Sequence, residues 1–269
     1  MLIKVHGQDA YCYTGGKPFD PALPTAVFIH GAQHDHSVWI LQTRYFAHHG
    51  FGVLAVDLPA HGRSSGEPLT SVEAMADWLL ALLDAAGVQK AVLIGHSMGS
   101  LIALEAAGRA PERADKLALV GTAYPMRVSD ALLNAAKNDE QTAIDMVNIW
   151  SHASFAQKPS CPGPGFYVLG GNQRLMQRIS NQHAAPVFYT DFVACNAYAN
   201  GEAAARTVSC PTLMLLGKRD MMTPPKATAT LAKAIPHCKV TQLEDCGHAL
   251  MAEQPDAVLE SLFGFASKA

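Results

Sequence analysis

A serine lies between two glycines in the segment Gly95-His96-Ser97-Met98-Gly99, which follows an apolar run and precedes a stretch with helical spacing. A serine at so sharp a strand-to-helix turn has strained backbone angles, and the flanking glycines avoid collisions between side chains. The turn lifts the serine hydroxyl away from the backbone, and the N–H of the next residue points into the same space. The segment therefore predicts a nucleophilic serine.

A serine hydroxyl is a weak nucleophile at neutral pH, so it needs a base, and the base needs an acid to orient it. Asp220 follows the apolar run 211–217, and His248 lies in a glycine-marked loop after the last apolar run. Because parallel strands share their carboxyl ends, both loops should open at the edge that carries Ser97. We therefore predict a catalytic triad of Ser97, Asp220 and His248.

Short apolar runs alternate with helical segments over most of the chain. Nearly continuous apolar runs, typical of strands buried on both faces, occupy residues 25–31, 51–59, 90–97, 116–122, 211–217 and 239–245. Helical spacing is found near residues 37–49, 71–87, 98–110, 225–235 and 255–267. With an antiparallel edge hairpin at residues 2–14, this α/β alternation predicts a mostly parallel eight-stranded sheet flanked by helices.

The alternation stops between residues 124 and 206. This stretch contains short helical segments such as 130–138, around a proline- and glycine-rich link at 158–165. We interpret it as a helical cap inserted between two strands of the sheet. The predicted organisation is a core of residues 1–123 and 207–269 with a cap of residues 124–206.

Composition excludes several classes of function. The chain is 49% hydrophobic and 16% charged, which is typical of a globular protein with a large core. A net charge of −3 without a basic tract argues against a nucleic-acid partner. There is no signal-peptide pattern, no membrane-spanning apolar stretch and no CxxC among six cysteines. We therefore expect a cytoplasmic protein with no membrane partner and reduced thiols, whose oligomeric state the sequence does not indicate.

With its triad in the order nucleophile, acid, histidine, the chain resembles the α/β-hydrolase superfamily, in particular serine carboxylesterase-like members with a helical cap. The resemblance covers nearly the whole length. Residues 28–39 (FIHGAQHDHSVW) resemble the family's His-Gly loop after the third strand. Residues 57–66 (DLPAHGRSSG) resemble its Asp-x-x-Gly/Ala-His-Gly-x-Ser loop after the fourth strand.

The resemblance implies an oxyanion hole formed by the backbone N–H groups of Met98 and Ala32, with Gln33 as a further contributor. His30 and His61 are expected to brace backbone turns. The cap should enclose a largely apolar substrate pocket. Candidates for its wall are Trp39, Met126, Trp150, Met222 and Leu250.

Other polar residues allow alternative roles. Glu244 and Asp245 lie on or just past the last predicted strand and are rival acids for His248. His34 and His36 raise the question of a metal, but nothing downstream completes a set of three ligands, so no metal is predicted. The nucleophile segment lacks the G-x-G-x-x-G spacing of a dinucleotide site, so no organic cofactor is predicted.

The predicted activity is hydrolysis of a small carboxylic ester through an acyl-enzyme on Ser97, with a small acyl substrate as the partner. Carbon–carbon bond (β-diketone) hydrolases and enol-lactonases of aromatic degradation use a similar serine triad and cap, and the fold alone does not separate these reactions. The serine argues against dehalogenases and epoxide hydrolases, which use an aspartate nucleophile. A non-catalytic ligand-binding protein is disfavoured because all three triad residues are present.

Overall fold

The computed structural model describes residues 1–154 and 168–268. Its eight strands are β1 (Leu2–Val5), β2 (Gln8–Tyr13), β3 (Thr25–Ile29), β4 (Gly52–Val56), β5 (Ala91–His96), β6 (Ala114–Val120), β7 (Thr212–Gly217) and β8 (Cys238–Leu243). They form one sheet in the order β1-β2-β4-β3-β5-β6-β7-β8. The predicted eight-stranded, mostly parallel sheet is confirmed.

The two N-terminal strands form the expected antiparallel edge. Val5 pairs with Gln8 across a two-residue turn in which His6 and Gly7 have φ angles of 49° and 81°. Positive φ at both central residues gives a turn whose twist matches that of the strands. Cys12 of β2 then pairs antiparallel with β4, so the hairpin covers one edge of the parallel strands.

The helices of the described residues are α1 (Ile40–His48), α2 (Val72–Ala85), α3 (Met98–Arg109), α4 (Asp130–Asn138), α5 (Glu140–Ser151), α6 (Val168–Gln182), α7 (Val187–Ala197), α8 (Gly201–Thr207), α9 (Ala229–Ala234), α10 (Leu250–Glu253) and α11 (Pro255–Ala266). The predicted helix at 37–49 is divided, because a 3₁₀ turn capped by the Asp35 carboxylate precedes α1. None of the described helices has the length and apolar character needed to cross a membrane.

Apolar side chains pack on both faces of the sheet. Val27 on one face belongs to the cluster that includes Leu79 of α2 and Leu101 of α3. Its neighbour Phe28 belongs to the opposite cluster, with Phe46 of α1 and residues of α11. Because successive strand residues point to opposite faces, one continuous apolar run supplies both cores.

Helices α4 to α8 lie between β6 and β7 in the chain, and together they are called the insertion below. The last of them, α8, packs on α3, where Thr207 Oγ1 donates to the Gly108 carbonyl at 2.9 Å. The predicted link at 158–165 falls within residues 155–167, outside the described residues. The cap boundaries at 124 and 206 stay a prediction.

Candidate active site

The predicted nucleophile lies at a strained turn between β5 and α3. Ser97 has φ 52° and ψ −120°, and its N–H donates to the Val120 carbonyl at 2.9 Å. A Cβ atom on Gly95 would overlap the carbonyl oxygen of Gly99, and one on Gly99 would overlap the Ile29 carbonyl. The two glycines therefore allow the chain to bend tightly enough to present the hydroxyl.

The predicted acid and base meet in the loops after β7 and β8. Asp220 Oδ2 lies 2.7 Å from His248 Nδ1, and both residues are 5% exposed. The other carboxylate oxygen accepts the N–H groups of Met222 at 2.8 Å and Thr223 at 2.7 Å. Because the carboxylate is an acceptor, Nδ1 carries the hydrogen and the lone pair of the neutral ring lies on Nε2.

Ser97 and His248 lie against the same short segment after β6. Ser97 is hydrogen-bonded to Val120, and a Cβ atom on Gly121 would lie 3.3 Å from two ring atoms of His248. The rings of His96 and His248 are 4.7 Å apart. Among the described residues no hydrogen bond joins Ser97 Oγ to His248, and such bonds are often long before a substrate binds. All three predicted residues thus open at one edge of the sheet.

Thr223 is a residue of this site that the sequence reasoning missed. Its Oγ1 lies 2.7 Å from Asp220 Oδ2, 3.0 Å from the Gly121 carbonyl and 3.0 Å from His248 Nδ1. The hydroxyl therefore joins the acid, the base and the segment beside the nucleophile. Its position three residues after an aspartate at a strand end was the available signal, since such side chains often close the turn.

The two N–H groups predicted to form the oxyanion hole are uncommitted. Among the described residues neither Met98 N–H nor Ala32 N–H donates a hydrogen bond. Gly31 brings the Ala32 loop close to the nucleophile, because a Cβ atom there would lie 3.1 Å from Ser97 Cβ. The expectation that Gln33 also contributes is wrong, because its N–H donates to an Asp191 carboxylate oxygen at 2.9 Å.

A small cavity of about 140 Å³ opens at Ser97. Three of the predicted wall residues line it, namely Met126, Trp150 and Met222. Further apolar or sulfur-bearing lining comes from Val128, Leu132, Phe192, Cys195 and Met221. Arg127, Ser129 and Thr223 add polar side chains to the lining, so the cavity is mainly apolar with a few hydrogen-bonding groups.

The other two predicted wall residues lie elsewhere. Trp39 and Leu250 are fully buried in the core on the α1 and α11 face of the sheet. The Trp39 ring packs 5.4 Å from the ring of Phe28. Neither side chain lines the cavity at Ser97.

The sequence matches a known protein family over the residues that form this site. The family model described as "alpha/beta hydrolase fold" matches residues 24–255, which include the Ser97 turn and the loops of Asp220 and His248. The chain belongs to the α/β-hydrolase family. It is a hydrolytic enzyme of the α/β-hydrolase type.

Several known proteins are similar to this hydrolase. A protein of Pseudomonas savastanoi pv. phaseolicola, provisionally assigned as the carbamate hydrolase RutD, is 27% identical over 86% of this chain and 83% of its own. The solved esterase EaEST from Exiguobacterium antarcticum superposes with a TM-score of 0.84 over 99% of each chain, at 18% identity. The enol-lactonase from Burkholderia xenovorans LB400 superposes with a TM-score of 0.83 over 100% of each chain, at 22% identity. The two solved structures show the fold that they share with the hydrolase.

A second, larger cavity of about 550 Å³ lies beside the His96 end of the hydrolase's nucleophile turn. It is lined by His34 and His96 on the core side and by residues of α6 on the other. Burial lowers the pKa of both imidazoles, and it does so strongly at His96, so both rings are neutral at pH 7. The core side of this larger cavity therefore carries two uncharged imidazole rings.

The insertion lies over the strand ends of the hydrolase. His34 Nε2 is 2.9 Å from Asn172 Oδ1 of α6, and Arg178 of α6 pairs with Asp35 at 2.5 Å. The Ala249 N–H, next to His248 in the chain, donates to the Ser151 carbonyl of α5 at 2.9 Å. Insertion helices therefore contact the loops after β3 and β8.

One group of potential metal ligands occurs among the described residues of the hydrolase. Single ligand atoms of Asp35, His36 and Asp57 lie within 4.8 Å of one another. Asp57 Oδ1 already accepts from the His36 N–H and Nδ1, both at 2.7 Å, and Oδ2 accepts from the Arg63 N–H at 2.9 Å. Asp35 accepts from Ser37 at 2.9 Å. Since these oxygens already accept from the loops after β3 and β4 and, at Asp35, from Arg178 of α6, the group is explained as a structural contact between these segments.

Proposed function

We propose that the protein is a serine hydrolase that cleaves a small carboxylic ester through an acyl-enzyme on Ser97. One observation carries the proposal: the Asp220–His248 pair, 2.7 Å apart, lies against the segment that holds the strained Ser97 turn. A neutral imidazole with its Nε2 lone pair on the nucleophile side is the arrangement that general-base catalysis requires. The family supplies the hydrolytic class, and the ester is our inference.

In the proposed mechanism Ser97 Oγ attacks the ester carbonyl while His248 Nε2 takes the hydroxyl proton. Asp220 stabilises the imidazolium that forms. The Met98 and Ala32 N–H groups donate to the developing alkoxide, and one such donor contributes about 3–4 kcal/mol of transition-state stabilisation. His248 then protonates the leaving alcohol, and water activated by the same ring releases the acyl group from the serine.

The cavity at Ser97 limits the group that it can hold. At about 140 Å³, and with Met126, Phe192 and Met222 in its lining beside Arg127 and Ser129, it suits a short acyl or alcohol part. We therefore expect short acyl esters to be better substrates than long-chain esters. Measuring kcat/KM along a series of p-nitrophenyl esters from acetate to decanoate tests this expectation.

The central test replaces Ser97 by alanine and measures turnover of p-nitrophenyl acetate and butyrate. We expect loss of turnover by about 10⁴-fold or more, because nucleophile and base act as one unit. Ser71→Ala is the matched control, since this serine caps α2 away from the site and its loss should leave kcat unchanged. Equal turnover in Ser97→Ala and the control would reject the proposal.

A fluorophosphonate probe separates the enzyme from a non-catalytic ligand-binding protein. Labelling of the parent protein, abolished in Ser97→Ala, is expected of an activated serine. Absence of labelling in a folded sample would favour the binding role. Parallel assays with enol-lactones and β-diketones then decide whether ester cleavage is the preferred reaction of the site.

A further inference from the structure

A buried carboxylate of the insertion contacts the loop that carries the predicted oxyanion donor. Asp191 of α7 is fully buried, and its Oδ2 accepts the Gln33 N–H at 2.9 Å. The same oxygen lies 2.9 Å from Nε2 of buried His61, in the loop after β4. One oxygen atom thus joins three segments that are distant in the sequence.

We propose that Asp191 is a positioning residue for the oxyanion hole: by holding the Gln33 N–H it aims the adjacent Ala32 N–H at the reacting carbonyl. The inference rests on the proposed function, because it requires Ala32 to donate to the oxyanion. Asp191 does not touch the substrate in this account. It acts through the backbone of the loop after β3.

The Ala32 N–H lies in the peptide plane that joins Gly31 to Ala32, and this plane is adjacent to the one that carries the Gln33 N–H. Gln33 has φ 57°, a left-handed conformation that a residue with a side chain rarely adopts without support. The hydrogen bond from its N–H to Asp191 gives that support from the insertion. Without it, relaxation of the Gln33 backbone would turn the neighbouring N–H away from the carbonyl.

The Gln33 side chain is held by the insertion as well. Its Nε2 donates to Ser180 Oγ at 2.7 Å and to the Met176 carbonyl at 3.1 Å, both on α6. A third acceptor, Glu140 Oε1 on α5, lies at 3.3 Å. Backbone and side chain of one loop residue are therefore held by three helices of the insertion.

His61 is the buried partner of Asp191. Nδ1 of His61 faces the Pro59 carbonyl at 3.0 Å and Nε2 faces Asp191, so both ring nitrogens face acceptors and both carry hydrogen. Burial lowers the pKa of His61, but the Asp191 charge and hydrogen bond outweigh burial and raise it overall. A charged acceptor forms a stronger hydrogen bond to the Gln33 N–H than a neutral one would.

Stability alone does not account for this arrangement. Asp191 Oδ1 is buried and has no hydrogen-bond partner among the described residues. A buried ion pair is seldom more stable than well-packed apolar side chains of similar volume, and an unpaired oxygen adds to its cost. A role in placing the loop gives a reason for a carboxylate among the otherwise apolar buried positions of the helix Val187–Ala197.

The test compares Asp191→Leu, Asp191→Asn and the parent protein with p-nitrophenyl butyrate. We expect the leucine variant to lose about 10- to 100-fold in kcat with KM within about twofold, since a displaced donor loses much of its transition-state contribution. Asparagine keeps an acceptor for the Gln33 N–H, so its kcat should fall less than that of leucine. Binding of phenylboronic acid, which forms a tetrahedral adduct, should weaken in the same order.

The matched control is Asp145→Leu. This carboxylate also belongs to the insertion, but among the described residues it accepts only from Gln141 and Gln173, at 2.9 and 2.8 Å, and neither of these residues belongs to the loop after β3. We expect kcat and boronate affinity within about twofold of the parent protein, the ordinary range for a surface change. A similar loss in both leucine variants would indicate general weakening of the insertion and overturn the proposal.

Two outcomes distinguish failure of the positioning role of Asp191 from failure of the serine hydrolase mechanism. If Ser97→Ala abolishes turnover but folded Asp191→Leu keeps the parent kcat and boronate affinity, only the positioning role fails. If Ser97→Ala retains turnover, the serine mechanism itself fails. Should Asp191→Leu not fold, Asp191→Asn decides, because boronate affinity equal to that of the parent protein would overturn the proposal.

Discussion

Two histidine–aspartate pairs in this protein have similar geometry and different surroundings. His248 and Asp220 lie 2.7 Å apart at the ends of neighbouring strands, and 28 positions separate them in the chain. His61 and Asp191 lie 2.9 Å apart between core and insertion, with 130 positions between them. All four side chains are buried. Distance and burial alone therefore do not distinguish a candidate catalytic pair from a positioning pair.

The difference lies in the second nitrogen of each imidazole. In His61 that nitrogen faces the Pro59 carbonyl, so both nitrogens are committed and the ring has no free lone pair. In His248 the Nε2 atom has no hydrogen-bond partner among the described contacts and is free to take a proton from the nucleophile. A base needs an uncommitted lone pair, whereas a positioning group works best when every atom is held.

Replacing each histidine should separate the two roles most clearly. We expect His248→Ala to lower kcat for p-nitrophenyl butyrate by about 10⁴-fold or more, because the base is removed. His61→Gln should lower kcat only about tenfold, since it weakens the support of a donor and leaves the base in place. Steady-state kinetics of both variants checks the contrast, which would be lost if the two reductions were equal.

Replacing each aspartate should affect stability in the opposite order: the change at Asp191 should cost more stability than the change at Asp220. We expect Asp191→Ala to lower the free energy of unfolding by about 3–5 kcal/mol, because it leaves His61 buried without its counter-ion. Asp220→Asn keeps an acceptor for the Met222 and Thr223 N–H groups and should cost about 1 kcal/mol or less. Urea denaturation followed by circular dichroism measures both. A larger loss for Asp220→Asn would contradict the roles assigned here.

Thr223 offers a smaller and sharper test of the strand-end pair. Thr223→Val removes the hydroxyl that contacts both Asp220 and His248, and we expect kcat to fall about tenfold, the equivalent of one hydrogen bond. KM should stay near its parent value, because the hydroxyl acts through the imidazole. Thr223→Ser restores the hydroxyl and should recover most of kcat. Equal activity of the valine and serine variants would remove Thr223 from the site.

The pH dependence of stability should reflect the buried histidines. Burial lowers the pKa of His30, His34 and His96, so below about pH 6.5 the unfolded chain binds protons that these folded residues do not. Each group then reduces stability by up to about 1.4 kcal/mol per pH unit as the pH falls. His61 acts oppositely, because its raised pKa gives stability that is present below about pH 6.5 and lost as the pH rises through its folded value.

Urea titrations at pH 5, 6, 7 and 8 measure this dependence. Burial also lowers the pKa of the partly buried His183. Since four histidines act in one direction and one in the other, we expect the protein to be less stable at pH 5 than at pH 7. His61→Gln should flatten the alkaline side of the profile and leave the acid side unchanged. An increase in stability between pH 7 and pH 5 would contradict the account.

The positions of the triad residues were predictable because each is marked by the sequence immediately around it. Ser97, Asp220 and His248 each follow an apolar run, and parallel strands bring the ends of such runs to one edge. The wall of the cavity was predictable only in part. Trp39 and Leu250 follow the same loops but turn into the core, and sequence spacing does not reveal which way a residue just after a loop points.

The sequence by itself determined the order of strands and helices, the strained serine turn and the edge at which the polar loops meet. These features depend on contacts between near neighbours and on the pattern of apolar residues. Only the tertiary structure decided that Gln33 is held by Asp191 and that His61 has both nitrogens committed. A hydrogen bond between segments 130 or 158 positions apart depends on how the insertion packs on the sheet, and no local pattern of residues encodes that packing.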